Sequence, residues 1–405
     1  MRVLLVSDFF PPVRGGLEVH VDELAAELSA RGHDVHVATL TPDATPTADS
    51  VQVHVVTTLS SAVVRHEHAD RPFHPPVPDP RAHTALATLV TKLRPDVVHA
   101  HSWLGVSLPR RHRPPVVFTA HDYALICQLH TLLRTTGLRT TGLRTTGERC
   151  GGPSARACVP CGARRHGVVR SVALATSTPV GRRLLPADRV LTLSAHVAAT
   201  IRPYLRVPVE TVGGFVRAVR TAAPNGNVEL PALPAGPFVL YAGDPGPHKG
   251  LDLLLDLWAG SAVPAPLVVA TTKPLVRNVS GDVTVVTLSR DQMAVAQRRA
   301  AVAVVPSQWD EPYGMVAAEA LTAGVPVVAS RVGALPELVT DGVDGVLVPA
   351  GDRDALGAAL TGLVTDEPRR AAFAAAAVRG AVRFGPDAVL PRIEAAYRAA
   401  MQRAA

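Results

Sequence analysis

Lysine, cysteine and the aromatic residues are scarce in this chain. Of 41 basic residues only Lys92, Lys249 and Lys273 are lysines, 4% of residues are aromatic, and there are four cysteines in 405 residues. Few aromatic side chains means few platforms on which bases can stack. The basic residues are also spread along the chain, with only short local runs such as Arg110, Arg111, Arg113 and Arg164, Arg165. No nucleic-acid partner is therefore expected, despite a net charge of +7. Distributed positive charge suits equally well a cleft that attracts phosphates. Long apolar runs are lacking too: Ala371–Val378 and Ala300–Val305 fall far short of the roughly 18 residues that span a bilayer, and Met1–Asp8 lacks the length of a signal-peptide core. The expectation is a cytoplasmic protein, free to touch a membrane face peripherally.

What the chain has in quantity is apolar residues, 47% against 19% charged, which excludes disorder for the bulk of it. Its length exceeds what one core usually grows to, so two domains are expected. Arg2–Ser7 reads as a buried strand, Leu17–Arg31 as a helix stopped by Gly32, and Val35–Leu40 as a second strand, a βαβ unit with Gly15 and Gly16 at its turn. The alternation continues through strands at 51–56, 96–100, 115–119, 189–193 and 207–212, and a second α/β series follows from Phe238. The fold class is α/β with mostly parallel sheets. The expected division is an amino-terminal domain at 1–216 with an insertion at about 124–166, a linker at 217–236, a second domain at 237–385, and a last helix at 386–405 that can pack on either domain. Inside the insertion Arg-Thr-Thr-Gly occurs three times at a period of five, which predicts a mobile surface loop.

The sharpest constellation is Glu311-Pro-Tyr-Gly-Met-Val-Ala-Ala-Glu319, between a strand and a helix. On one helix the two carboxylates would stand ~12 Å apart, too far to act on one bond, so they suit two ends of one long ligand, with the free amides around Tyr313, Gly314, Met315 and Val316 between them. The plainer reading makes Glu311 a helix-start charge and Glu319 a solvated residue, but four apolar neighbours, Ala317, Ala318, Ala320 and Leu321, argue for burial of Glu319. Lys249 stands at a helix start, unfavourable for a cation unless an anion is close, and Gly333-Ala-Leu-Pro-Glu337 makes a third strand-to-helix turn. In the first domain the candidates are the Gly15-Gly16 turn and His121, beside Asp122 at a strand end; His99 and His101 carry less weight. All four cysteines, Cys127, Cys150, Cys158 and Cys161, fall within 35 residues. A structural zinc is one reading and redox-active or packed thiols the other.

Taken in order, Val-Ser-Asp-Phe-Phe-Pro-Pro-Val-Arg-Gly-Gly16, Thr-Ala-His121-Asp, Lys249-Gly250, Glu311-x7-Glu319, Gly324-Val-Pro-Val-Val-Ala-Ser and Asp341-Gly-Val-Asp-Gly-Val-Leu-Val resemble the retaining nucleotide-sugar glycosyltransferases of family four, with a cysteine-bearing insertion found in a subset of them. The resemblance implies a GT-B fold, two facing Rossmann-like domains with a donor cleft between them. It implies transfer from a nucleotide-diphosphate sugar to an acceptor hydroxyl of a glycan, lipid-linked sugar or small metabolite, with no cofactor required for catalysis. By the same resemblance Glu319 bonds the donor ribose, Glu311 and the amides through Val316 hold the sugar, Lys249 holds the diphosphate, Gly16 admits it closely, and His121 lies near the reacting carbon. Two departures stand out: Asp244 occupies the place of an expected arginine, and Gly213-Gly214-Phe215 replaces an expected Asn-Gly. Relatives that use such a donor site differently, as epimerases or nitrogen-coupling enzymes, and a noncatalytic nucleotide-sugar binder are the alternatives.

Overall fold

The computed structural model describes residues 1–13, 15–59, 74–139, 142–217, 231, 233–260, 263–275 and 279–404. The chain divides into two units: Met1–His130 with Gly151–Gly213 and Val389–Ala405, and Thr131–Cys150 with Gly214–Ala388. Most of the expected linker lies outside the described residues.

The first unit is built on a seven-stranded sheet of β1 (Arg2–Ser7), β2 (Asp34–Thr39), β3 (Gln52–Val55), β4 (Val97–Ala100), β5 (Val116–Ala120), β8 (Arg189–Thr192) and β9 (Val209–Thr211), in the order β3-β2-β1-β4-β5-β8-β9. Every pairing is parallel. A parallel sheet needs helical crossovers that cover both faces, which is why β4 and β5 are buried along their whole length and are apolar but for His99 and Thr119. The crossovers include α1 (Gly16–Ala30), α2 (Pro80–Leu93) and the later α5 (Ala195–Ile201). Asp79 caps α2, accepting from the amides of Arg81 and Ala82, with Pro80 as the first helical residue.

The expected loop over the repeat is instead a hairpin: β6 (Leu133–Arg139) pairs antiparallel with β7 (Gly142–Arg149), with register shifts between Leu133, Thr135 and Gly137. β-branched threonine favours a pleated strand, and the glycines take up the irregular register. Beyond it lie α3 (Ala155–His166) and α4 (Val168–Leu184), which the sequence pattern did not assign because Pro160 and Pro179 interrupt them and their apolar spacing is poor. Gly167 joins the two at a φ of +79°, a left-handed turn that glycine adopts without strain.

The second unit carries a six-stranded parallel sheet of β10 (Val239–Ala242), β11 (Leu267–Ala270), β12 (Val283–Val286), β13 (Val302–Val305), β14 (Val327–Ser330) and β15 (Gly345–Val348), in the order β12-β11-β10-β13-β14-β15. Helices α6 (Leu251–Ala259), α7 (Arg290–Arg299), α8 (Met315–Thr322), α9 (Leu335–Leu338), α10 (Arg353–Thr365) and α11 (Glu367–Gly380) connect them. One core of Leu254, Trp258, Val302, Val328, Leu360 and Leu363 joins α6 and α10 to the sheet. Both sheets reverse direction once: the chain runs outward from β1 or β10, then returns to start at β4 or β13 on the other side. In open α/β sheets ligands bind at the carboxyl ends of the two strands flanking that reversal.

The last helix, α12 (Pro386–Ala404), buries Leu390, Ile393, Ala396 and Tyr397, and its residues from Val389 belong to the first unit. The Tyr397 hydroxyl is 2.7 Å from His99 Nδ1, and His99 Nε2 is 2.6 Å from the Thr119 hydroxyl. Burial pushes the His99 imidazole from an ordinary 6.5 down to about 3. A histidine whose pKa is depressed by folding contributes stability that is whole above the unfolded value and is lost as pH falls toward the folded one. Thermal melts from pH 7 to 4 are expected to show stability declining below about pH 6.5, with a shallower decline in His99→Gln. An identical slope in wild type and variant would remove His99 as the source.

Candidate functional site

Lys249 and Glu311 follow the two strands that flank the reversal in the second unit, β10 and β13. Lys249 closes a short 3-10 turn, Pro247–Lys249, ahead of α6. Its Nζ lies 2.8 and 2.9 Å from the two oxygens of the buried Glu311 carboxylate. Ser307 Oγ and Trp309 Nε1 donate to Oε2 at 2.8 and 2.9 Å, and Lys249 Nζ stands 4.9 Å from the Trp309 ring centre. Burial raises the Glu311 pKa, but Lys249, Ser307 and Trp309 outweigh it and hold the carboxyl below its ordinary value. The anion beside Lys249 in this structure is thus Glu311 itself.

Backbone geometry fixes the two loops. At Gly250, with φ +75°, a Cβ would come within 1.9 Å of the Pro306 carbonyl oxygen, and at Gly333 it would come within 2.2 Å of the Glu311 amide nitrogen. Only glycine lets the three carboxyl-edge turns touch. The amides of Gln308 and Ala334 close them, donating to His248 O at 2.7 Å and Glu311 O at 2.8 Å.

Glu311 precedes α8 and Glu319 lies within it, where Gln297 Nε2 donates to Oε2 at 3.2 Å. Burial raises the Glu319 pKa. Gly314, at φ +100°, starts α8 with no side-chain cap, so helix geometry gives the amides of Met315 and Val316 no intrahelical acceptor. The Tyr313 side chain is buried and donates to the Gly214 carbonyl at 2.6 Å. At the position of the expected arginine, Asp244 pairs with Lys273 from the turn after β11. His248, between these charges, is lowered to about 4, first by burial and then by Lys249.

In the first unit the reversal lies between β1 and β4. Asp8, after β1, accepts from Ser102 Oγ at 2.6 Å and from the Leu104 amide at 2.8 Å, tying the two carboxyl-edge loops together; burial raises its pKa. Gly15 and Gly16 open α1, with no side-chain cap. His121 Nε2 is 3.0 Å from His101 Nδ1, and the His20 ring centre is 5.0 Å from that of His121. Burial lowers the pKa of His101 and His121 well below 6.5 and that of His20 to about 4. These imidazoles are neutral at pH 7, so one of each bonded pair must donate and the other accept. The carboxylate next in sequence does not serve His121: Asp122 bonds His130 Nδ1 at 2.9 Å and the Ala124 amide at 2.7 Å.

The four cysteines form no disulfide and are of intermediate exposure. Among the described residues no three or more His, Cys, Asp or Glu are arranged to hold a metal ion.

Residues 14–216 match the family described as Glycosyltransferase Family 4, and residues 230–379 match Glycosyl transferases group 1. The chain belongs to glycosyltransferase family 4. At 42% identity it is similar to a D-inositol 3-phosphate glycosyltransferase of Kribbella flavida, but over 28% of this chain and only 27% of that enzyme. The enzyme of the same description from Xylanimonas cellulosilytica is 28% identical over 96% of this chain and 93% of its own. Among solved structures, sucrose-phosphate synthase from Thermosynechococcus elongatus matches with a TM-score of 0.70 at 18% identity, covering 98% of both chains. Anabaena Alr3699/HepE in complex with UDP-glucose matches with a TM-score of 0.64 at 16% identity, covering 98% of this chain and 100% of that one. These likenesses give the family 4 chain the GT-B class of two parallel-sheet α/β domains.

Removing Lys249 leaves Glu311 with two neutral donors and no counter-charge. Lys249→Met is expected to destabilise the family 4 chain by about 1–3 kcal/mol, below the figure for a wholly buried pair because the lysine is partly exposed. Glu311→Gln in that background should restore part of the loss. Equal stability of wild type and Lys249→Met in urea melts would show that the pair contributes nothing to folding.

Proposed function

We propose that this protein transfers a sugar from a nucleotide-diphosphate sugar to an acceptor hydroxyl with retention of anomeric configuration, in chemistry that needs no metal ion. The observation that carries the reading is the Lys249–Glu311 pair at the reversal point of the second sheet, beside uncapped amides at the start of α8. A cation, a carboxylate and free amides at that edge match a ligand with a diphosphate at one end and hydroxyls at the other. The relatives agree in kind: one is a D-inositol 3-phosphate glycosyltransferase, and a protein of similar fold is seen in complex with UDP-glucose.

In this reading the donor diphosphate takes Lys249 from Glu311, the freed carboxylate accepts from sugar hydroxyls, and the amides of Gly314, Met315 and Val316 donate to the sugar's oxygens. Glu319 accepts from the ribose, for which its weak hold on Gln297 leaves capacity. Lys273 supplies the second positive charge that Asp244 displaces from its usual place. His121 serves the sugar near the reacting carbon, and Gly15 and Gly16 leave room for the phosphates. As the diphosphate leaves, lysine and amide dipoles stabilise its growing charge, and the departing phosphate takes the proton of the acceptor attacking on the same face. The acceptor is a hydroxyl compound of the glycan, lipid-linked sugar or small-metabolite class.

Calorimetry with UDP-, GDP- and ADP-sugars, followed by proton NMR of the product's anomeric centre, tests this. One donor should bind and yield an axial or equatorial linkage like its own; an inverted product would overturn retention, and no binding to any of the three classes would overturn the donor assignment. Glu319→Ala should weaken nucleoside and nucleotide alike. Lys249→Ala and Lys273→Ala should weaken diphosphates about tenfold or more and leave free nucleosides unchanged.

A further inference from the structure

The helical pair of α3 and α4 has no part in the proposed donor chemistry, and its surface is unlike the rest of the molecule. Between Ala155 and Leu184 there are six arginines, at 156, 164, 165, 170, 182 and 183, and no aspartate or glutamate. This stretch therefore carries a charge of six against a net +7 for the whole chain.

Its apolar pattern is inverted. The side of α4 turned into the protein presents Ser171, Thr178 and Gly181, all buried. Ser171 Oγ donates to the Val159 carbonyl at 2.8 Å, and at Gly181 a Cβ would come within 2.0 Å of the Pro76 carbonyl oxygen. Small residues let the helix sit close, so the valines are left outside. Val168, Val169, Val172 and Val180 are 65%, 86%, 43% and 45% exposed, four of the ten large hydrophobic residues found exposed among the described residues. Val169, Val172, Thr176 and Val180 follow at helical spacing along one face, all exposed. At the tip, the exposed Arg164 and Arg165 in the last turn of α3 stand within a few residues of Val168 and Val169.

We propose that the α3–α4 tip docks on an anionic lipid surface, with Val168, Val169 and Val172 entering the headgroup region and Arg164 and Arg165 pairing with lipid phosphates. Apolar and guanidinium side chains side by side at one exposed helical tip fit the boundary between acyl chains and anionic headgroups. Charge argues against a second copy of this chain, since the face would meet its own six arginines. Valines at the tip argue against nucleic acid, which offers them nothing to bury in. No helix among the described residues is long and apolar enough to cross a membrane, so the contact is peripheral.

The test is co-sedimentation of the full chain with vesicles of phosphatidylcholine alone or with about 30 mol% phosphatidylglycerol. Wild type should bind only the anionic vesicles. Val168→Asp with Val169→Asp, placed in the first turn of α4 where an acid suits the helix dipole, should fold normally and lose binding about tenfold or more. Arg164→Ser with Arg165→Ser should lose it too. Unaltered melting temperature and nucleotide-sugar affinity in both variants would separate docking from fold and from the donor site. Binding that ignores phosphatidylglycerol, or that survives the valine substitutions, would overturn the proposal. So would a wild-type dimer in sedimentation equilibrium that dissociates in the valine variant.

Discussion

Taking a carboxylate out of water is costly unless it is paired and hydrogen-bonded, and in the second unit Glu311 is taken out of water at the meeting point of three loops. The turn after β10 brings Lys249, the loop after β13 brings Ser307 and Trp309, and the turn after β14 brings Gly333, whose missing side chain admits the Glu311 backbone. Each of these loops is positioned by a parallel strand ending at the same edge. The pair therefore ties the three loops together and, in the proposed function, holds an anion where the donor's diphosphate would bind. A diphosphate replacing the carboxylate at Lys249 would meet an ammonium already partly desolvated and aimed, and the released Glu311 would keep two neutral donors in Ser307 and Trp309.

The first unit solves a different problem with neutral groups. His20, His99, His101 and His121 crowd the carboxyl ends of β4 and β5 and the helix that follows β1, and burial suppresses the charge that four imidazoles would otherwise set against one another. Because His121 Nε2 is engaged by His101, the tautomer of one ring fixes that of the other. Asp122 is withdrawn from this set by His130, which keeps a full negative charge away from the neutral rings.

The parallel strands were legible because strands buried on both faces are mostly runs of Val, Leu and Ala with little else to be: β1, β11 and β15 fall where those runs stand. Lys249 and Glu311 stood out in the sequence because each lies at a strand-to-helix turn, and Glu319 because the helix that carries it is otherwise mostly apolar. What the sequence concealed lay across strands. His101 reaches His121 over 20 residues and Lys273 reaches Asp244 over 29, distances that mean nothing until β4 is known to lie beside β5 and β11 beside β10. A signal for Lys273 did exist: an acid where a base was expected calls for a cation from elsewhere. The placing of His121 beside Asp122 failed for the opposite reason, since neighbours in sequence at a strand end point to different partners. The insertion misled on both counts, as prolines masked its helices and repetition masked its hairpin.

The rarity of lysine acquires a physical meaning at the donor edge. Two of the three lysines, Lys249 and Lys273, are each held by a carboxylate at the carboxyl side of the same sheet, while arginine supplies every other basic position but Lys92. An arginine would clamp a carboxylate with two parallel hydrogen bonds in a fixed plane and give it up with difficulty. An ammonium is a compact point charge on a flexible stem, able to turn from a carboxylate oxygen to a phosphate oxygen without a preferred plane. A site in which the resting partner of the cation must be exchanged for the ligand's phosphate is better served by lysine. Six of the 38 arginines, whose broad, weakly hydrated faces pair well with phosphates at a surface, stand in α3 and α4 with no acid among them. In the two proposals the positive charge is therefore divided by chemistry: lysine where a carboxylate would be exchanged for a phosphate, and the arginines of the α3–α4 tip where an anionic surface would be held.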